Sequence, residues 1–318
     1  MLSRIANTLL GGVLVKVSVV FPNVIYRDGP EGVNRFIRGV ESLGFDELDM
    51  FDHVLMGYPT ESRKAPFYPS QMPLMEALMV LSYAAAITER IGLGTGVLVL
   101  PQRQPALVAR QVATLDTLTG GRVRLGLGVG WQASEYEALG ENFRNRGRRF
   151  DEGVRLLRAY WGEEQVDFEG EYYRAEAMAF EPKPPQGAGI PVWIGGAVPR
   201  TLERVAEYGD GWMGQFVKSP EVATRLMQKI RDGAEAAGRD PKQIGMQLSL
   251  SPFMEEKGKG FFRDTPRIAD RYAELASLGF NWTSIDTVPL FQAGARSVEA
   301  LLEKLAEIRQ AIDSHSTG

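Results

Sequence analysis

Strand-like and helix-like segments alternate eight times along 318 residues, which predicts an α/β protein of the (β/α)8 TIM-barrel class. A doubly wound sheet of this length would carry fewer strands. The glycine-rich and chemically unusual stretches all fall just after strand-like runs, where such a barrel places its chemistry whatever the reaction. A hydrophobic content of 44% and a charged content of 24% suit an ordinary globular core, and no linker divides the chain. Residues 1–318 therefore read as a single domain.

The elements follow in order. Val15–Phe21 reads as a buried first strand, and Val33, Phe36, Ile37 and Val40 lie at helical spacing before Gly44 stops the run. Glu47–Phe51 is a short second strand, Leu74–Ile87 an apolar helix and Ile91–Leu98 the third strand. Pro105 suits the first turn of a helix carrying Val108, Val112 and Leu115. Gly120-Gly121 then turns the chain into a fourth strand, Val123–Leu127. Phe150, Val154, Leu157 and Trp161 mark one face of the next helix. Residues 166–189, VDFEGEYYRAEAMAFEPKPPQGAG, break the rhythm and read as a hairpin with a proline-rich exit, inserted between the fourth helix and the fifth strand. IPVWI supplies that strand, Thr201–Tyr208 a helix and DGWMGQF the sixth strand. SPE at 219–221 combines an N-cap, a first-turn proline and an acidic residue, and opens a helix to about Ala237. Gln243–Ser251 is the seventh strand, DTP at 264–266 opens a helix with Ile268, Tyr272 and Leu275, and Trp282–Ile285 is the eighth strand. Ser297–Ile312 closes the pattern with Leu301, Leu305 and Ile308 on one face.

Composition excludes several chemistries. The chain has no cysteine, so disulfides, thiolate nucleophiles and cysteine-ligated metals are absent. Its two histidines are His53 and His315, the second in a polar tail over 313–318, which excludes a multi-histidine metal site. A net charge of −4 with no basic tract speaks against nucleic acid as a partner. The opening MLSRIANTLLGGVLVKVSVVF lacks a cleavage site followed by a polar mature sequence, so residues 1–14 read as an N-terminal extension rather than a signal peptide. No stretch reaches the ~18 uninterrupted apolar residues of a membrane span. A cytoplasmic protein without a membrane partner is expected.

The candidate mouth collects Asp52-His53 after strand two, Gly94–Val97 late in strand three, Gly128-Val129-Gly130-Trp131 after strand four, Gly195-Gly196-Ala197 after strand five and Gly214-Gln215-Phe216 after strand six. Gly128–Ala133 matches the dinucleotide string GxGxxA, but the acidic strand end required ~20 residues on is replaced by helical spacing around Phe150-Asp151-Glu152. Trp131, Glu135 and Tyr136 instead place an aromatic and a carboxylate on the mouth. Gly195-Gly196 reads either as a tight turn or as free amides that cradle a phosphate at a helix start, helped by Arg200. Asp52-His53 reads either as a cap and a surface imidazole or as a group that exchanges a proton near neutral pH. Trp161, Trp193 and Trp212 read as core.

From about Lys16 to about Ile312 the chain resembles the luciferase-like monooxygenase superfamily, the flavin and deazaflavin barrel enzymes. The resemblance is carried by IGLGTGVLVLPQRQPALVARQVATLDTLTGGRVRLGLGVGW, FEGEYYRAEAMAFEPKP and IPVWIGGAVPRTLERVAEYGDGW. FDHV and GVGW look like the branch that uses coenzyme F420, an 8-hydroxy-5-deazaflavin, and FMN is the alternative cofactor because FMN-using relatives share much of the scaffold. The resemblance implies a bulge at Gly96-Val97, often with a non-prolyl cis peptide, behind the cofactor ring. It implies Asp52 and His53 beside ring and substrate, Gly128–Trp131 with Glu135 along the cofactor, and Gly195, Gly196 and Ala197 on its phosphate.

One departure follows: sugar-phosphate dehydrogenases of that branch carry an acidic glutamate where this chain has Trp131, which speaks against sugar-phosphate oxidation. The expected enzyme transfers a hydride between the deazaflavin and a small organic substrate, with His53 moving the proton. The alternatives are an FMN-dependent monooxygenase and a non-catalytic deazaflavin-binding protein. Family habit implies a homodimer. The substrate would be shaped by residues 57–72, by the insertion at 166–189 and by the loop after strand seven.

Overall fold

The computed structural model describes residues 15–315 other than Lys257 and Lys259. The extension expected over residues 1–14, and residues 316–318 of the expected tail, lie outside that set. Its elements are β1 (Lys16–Val20), α1 (Gly29–Ser42), β2 (Glu47–Met50), α2 (Ala77–Ile87), β3 (Gly92–Thr95), β4 (Leu98–Val99), α3 (Pro105–Thr119) and β5 (Val123–Gly128). These are followed by α4 (Ala133–Ala138), α5 (Arg146–Gly162), the hairpin β6 (Gln165–Glu169) and β7 (Arg174–Ala179), and β8 (Val192–Gly195). Then come α6 (Pro199–Tyr208), β9 (Gly211–Gly214), α7 (Pro220–Ala236), β10 (Gly245–Ser249), α8 (Thr265–Ser277), β11 (Trp282–Asp286), α9 (Thr287–Ala293) and α10 (Val298–His315). Hydrogen bonding runs in the order β3-β2-β1-β11-β10-β9-β8-β5-β4, and β3 also pairs with β5. The sheet thus returns on itself as a closed barrel, with β3 and β4 as one interrupted stave.

The described chain forms two compact units, one of residues up to Asp49, Arg90–Gly92 and Trp193 onward, the other of Met50–Glu89 and Leu93–Val192. In the first, β1 runs parallel to β11, with Val17 opposite Thr283 and Val19 opposite Ile285. The apolar stripe of α1, Val33, Phe36, Ile37 and Val40, is buried as its spacing requires. Ser219 and Asp264 cap α7 and α8, accepting hydrogen bonds from the Val222 and Arg267 amides. Trp193 explains two strand glycines. Its indole lies over Gly211 and Gly245, where any Cβ would overlap it, and meets Trp282 edge to face at 5.6 Å.

In the second unit β5 pairs with both parts of the interrupted stave, Leu93 opposite Val123 and Leu98 opposite Leu127. Pro105 starts α3, and Gly120 ends it in the left-handed conformation at φ 65°. The hairpin falls in the expected insertion and is bulged between Val166 and Phe168. Its turn is held by one carboxylate: Glu152 of α5 accepts from the backbone amides of Glu171 (3.0 Å), Tyr172 (3.0 Å) and Tyr173 (2.6 Å).

Three of the differences from the sequence expectation have plain local causes. Helix α2 starts at Ala77 rather than Leu74, because the Glu76 carboxylate caps it at the Met79 amide. Thr287–Ala293 is an additional short helix whose N-cap is the half-buried Asp286. Asp313–His315 continue α10 rather than forming a tail, since Arg309 grips Asp313 one turn on and the ring of His315 faces Asp270 at 3.1 Å. Among the described residues, no helix is long and apolar enough to cross a membrane.

The Trp193 nest is testable. Gly245→Ala should lower stability by about 1–3 kcal/mol, as overpacking of a filled core does. Urea unfolding followed by tryptophan fluorescence measures this, and an unchanged midpoint means the indole can move aside.

Candidate active site

Beyond β2 the adjacent residues Asp52 and His53 find their partners on different elements. Asp52 turns to the interrupted stave. Its Oδ2 accepts from the Val99 amide at 2.9 Å and its Oδ1 from the Arg103 guanidinium at 2.8 Å. Burial pushes this carboxyl above its ordinary range, outweighing the Arg103 charge and the Val99 N–H. Between β3 and β4 the Gly96-Val97 peptide is cis, as the resemblance implies, and the Gly96 amide donates to Met50 O at 2.7 Å.

His53 turns the other way, towards α4. Its Nδ1 lies 3.0 Å from Glu135 Oε2, with the histidine 7% and the glutamate 1% exposed. The other carboxylate oxygen, Oε1, accepts from the Val54 amide at 2.6 Å and the Leu55 amide at 3.3 Å. Burial raises the Glu135 carboxyl, but the His53 and Gln102 side chains and the Val54 N–H together hold it below its ordinary 4.5. Three residues earlier, Gln132 works on the same segment, donating to Leu55 O at 2.8 Å and accepting from the Gly57 amide at 3.2 Å. The imidazole is also walled by aromatic edges, Trp131 at 5.4 Å and Tyr68 at 5.9 Å. Trp131 itself is 43% exposed. His53 Nε2 has no hydrogen-bond partner among the described residues.

Several expectations need correction. Tyr136 is not on the mouth: it is fully buried, its hydroxyl donates to Val129 O at 2.7 Å, and burial pushes that hydroxyl far above a phenol's ordinary range. The two glycines after strand four answer first to the protein's own side chains. A Cβ at Gly128 would lie 2.6 Å from Val97 Cγ2, and one at Gly130 would lie 2.7 Å from Val99 Cγ1. Gly130 also has φ 67°, where a side chain is disfavoured. In the first unit, the Gly196 amide donates to Met213 O at 3.2 Å, so it is not free for a phosphate. Its carbonyl accepts from Trp212 Nε1 at 2.6 Å. Helix α6 then starts at Pro199, which has no N–H, so its turn opens with the exposed residues Ala197 and Val198. Arg200 does not serve it, because its guanidinium meets Glu203 and Glu207 on its own helix at 3.1 and 3.2 Å. Trp161, Trp193 and Trp212 are buried as expected.

The structure therefore gathers Asp52, His53, Gly96, Val97, Gly128–Trp131 and Glu135 in the second unit, and places Gly195, Gly196 and Ala197 in the first. Sequence reasoning missed Gln102, Arg103 and Gln132, and reached Tyr68 only as part of residues 57–72. Arg103 in PQRQP follows the third stave at the barrel's chemical end and was findable there. Gln132 stands three residues before Glu135, the spacing of one helical face. Tyr68 lies in an irregular segment with no periodic signal.

A family model described as luciferase-like monooxygenase matches residues 15–279. An uncharacterized protein of Mycobacterium tuberculosis is 31% identical over 280 residues, covering 84% of this chain and 92% of that relative. An F420-dependent glucose-6-phosphate dehydrogenase of Mycolicibacterium gilvum is 32% identical over 216 residues, 66% of this chain and 61% of the relative. Among solved structures, an F420-dependent secondary alcohol dehydrogenase in complex with an F420–acetone adduct superposes with a TM-score of 0.73 at 18% identity, covering 94% of this chain and 99% of that one.

Two outcomes test this geometry. Gly128→Ala should destabilise the protein, and Val97→Ala in the same chain should restore part of the loss; a double-mutant cycle in urea measures the coupling, and additive costs would show that the two side chains do not meet. The depressed carboxyl of Glu135 contributes stability above about pH 4.5 that is lost as pH falls through its folded value. Glu135→Gln should therefore flatten the acid limb of the stability–pH curve, read by chemical denaturation between about pH 3 and 7.

Proposed function

Because the chain belongs to the luciferase-like monooxygenase family, we propose that it is an F420-dependent oxidoreductase that transfers a hydride between the deazaflavin and a small organic substrate. The observation that carries this reading is His53, a buried imidazole anchored at Nδ1 on Glu135 with Nε2 unengaged among the described residues. The modest identity to F420-dependent relatives supports the cofactor. So does the fit of the residues themselves. A flat tricyclic ring needs an exposed flat surface to lie against, and the half-exposed indole of Trp131 beside the His53 ring offers one.

When bound, the deazaflavin supplies the carbon that accepts or gives the hydride. The protein's own work is to position the substrate and handle its proton. His53 Nε2 takes the hydroxyl proton of an alcohol as its carbon loses hydride, or returns it to the oxygen of a carbonyl being reduced. Trp131 offers a partly exposed aromatic wall beside the His53 ring. Tryptophan has no acidic group, so sugar-phosphate oxidation is not proposed for this chain, despite the names of its relatives. An FMN monooxygenase is the competing reading within the family, and it requires reduced flavin to consume oxygen.

Side-by-side fluorescence titration should show tighter binding of the deazaflavin than of FMN. Tight FMN binding with reduced-flavin-dependent oxygen uptake would transfer the protein to the monooxygenase reading. On whichever enone, quinone or secondary alcohol reacts, His53→Ala should slow hydride transfer by ~10²–10⁴-fold with only a modest loss of cofactor affinity. Full turnover in that variant removes His53 from the chemistry.

A further inference from the structure

We infer that Glu135 is not a cofactor contact but the positioning residue of His53, fixing the imidazole with its proton on Nδ1 and a bare lone pair on Nε2. The geometry divides the two carboxylate oxygens between different tasks. Oε1 is held by two backbone donors, Val54 N at 2.6 Å and Leu55 N at 3.3 Å, so it serves as an acceptor. Oε2 lies 3.0 Å from Nδ1 of the ring. The depressed Glu135 carboxyl fits an ionised group, which can only accept, and the hydrogen between Oε2 and Nδ1 then belongs to the imidazole. A neutral imidazole with Nδ1 protonated has its free electron pair on Nε2.

The surroundings restrict the ring to this arrangement. The edges of Trp131 and Tyr68 limit its rotation, and Gln132 pins the chain just beyond it by bonds to Leu55 O and Gly57 N. Burial at 1% exposure keeps the Glu135 carboxylate from direct contact with a bound ligand. With this tautomer, Nε2 would accept the hydroxyl proton of a substrate alcohol whose carbon would give its hydride to a bound deazaflavin. The C=O bond forms and the resulting imidazolium stays paired with Glu135. In reduction the same proton returns to oxygen. The catalytic consequence rests on the proposed function, whereas the tautomer itself does not.

The sequence makes the test clean, because the chain has only two histidines. Imidazole ¹⁵N–¹H correlation spectra of the ¹⁵N-labelled full chain, with His315→Gln to assign the exposed ring, report which nitrogen of His53 carries the proton at mildly alkaline pH. The wild type should show the Nδ1–H form. Glu135→Gln should move the proton to Nε2. Val54 and Leu55 still need an acceptor, so the new amide keeps its oxygen towards them and presents its NH₂ to Nδ1. An Nε2–H form in the wild type, or an unchanged tautomer in a Glu135→Gln protein with native circular dichroism, overturns the inference; the wild-type spectrum decides alone if the variant does not fold. Deazaflavin affinity should change less than threefold in Glu135→Gln, and a loss beyond tenfold would return Glu135 to the cofactor site. If the tautomer switches as expected while His53→Ala retains full turnover, the positioning stands and the proposed chemistry falls.

Discussion

The arrangement depends on two adjacent side chains leaving the second stave in opposite directions. Asp52 ties the chain to the interrupted third stave through Val99 and Arg103, and His53 ties it to α4 through Glu135. Neither tie is a surface ion pair of small consequence. Both carboxylates are buried, and each has its oxygens divided between a main-chain donor and a side chain. A buried carboxylate with both oxygens engaged has a strong penalty for moving, so the backbone from Asp52 to Leu55 is placed by polar bonds rather than by packing. The imidazole inherits that placement.

The same region shows why a glycine motif can mislead. Gly128 and Gly130 follow a strand and resemble a dinucleotide loop, yet each faces a side chain of the neighbouring stave that leaves no room for a Cβ. The cause is local: Val99 stands opposite Gly128 in the ladder, and the Val97 and Val99 methyls press on positions 128 and 130, which must be small. Close approach of backbone to backbone and close approach of backbone to ligand make the same demand on the sequence. Only the neighbours distinguish them.

Legibility in the sequence followed the range of the interactions. The alternation of strands and helices was readable because apolar spacing is set within each element, as in Val33–Val40 of α1. Caps at Ser219 and Asp264 were readable for the same reason. His53 was readable from rarity and place in the barrel. Its partner's role was not, because Glu135 lies 82 residues on and the pairing exists only once α4 has folded. Tyr136 was misplaced because one residue of rotation on a six-residue helix separates a buried ring from a mouth, and so short a segment carries no period to show which side faces in. The engaged Gly196 amide escaped for a related reason, since its acceptor, Met213, belongs to the next stave.

The hairpin insertion carries a consequence for how this chain can diverge. Glu152 holds its turn by three consecutive main-chain N–H groups, at residues 171, 172 and 173. A carboxylate that reads only the peptide backbone is indifferent to which side chains the turn displays, provided none of the three is proline. The turn is therefore free to exchange its outward-facing residues while that anchorage stays the same. What inheritance must keep for it is a glutamate on α5 and, beneath it, Gly170, where any Cβ would overlap that carboxylate, with the Tyr173 hydroxyl on Arg149 as a separate side-chain tie.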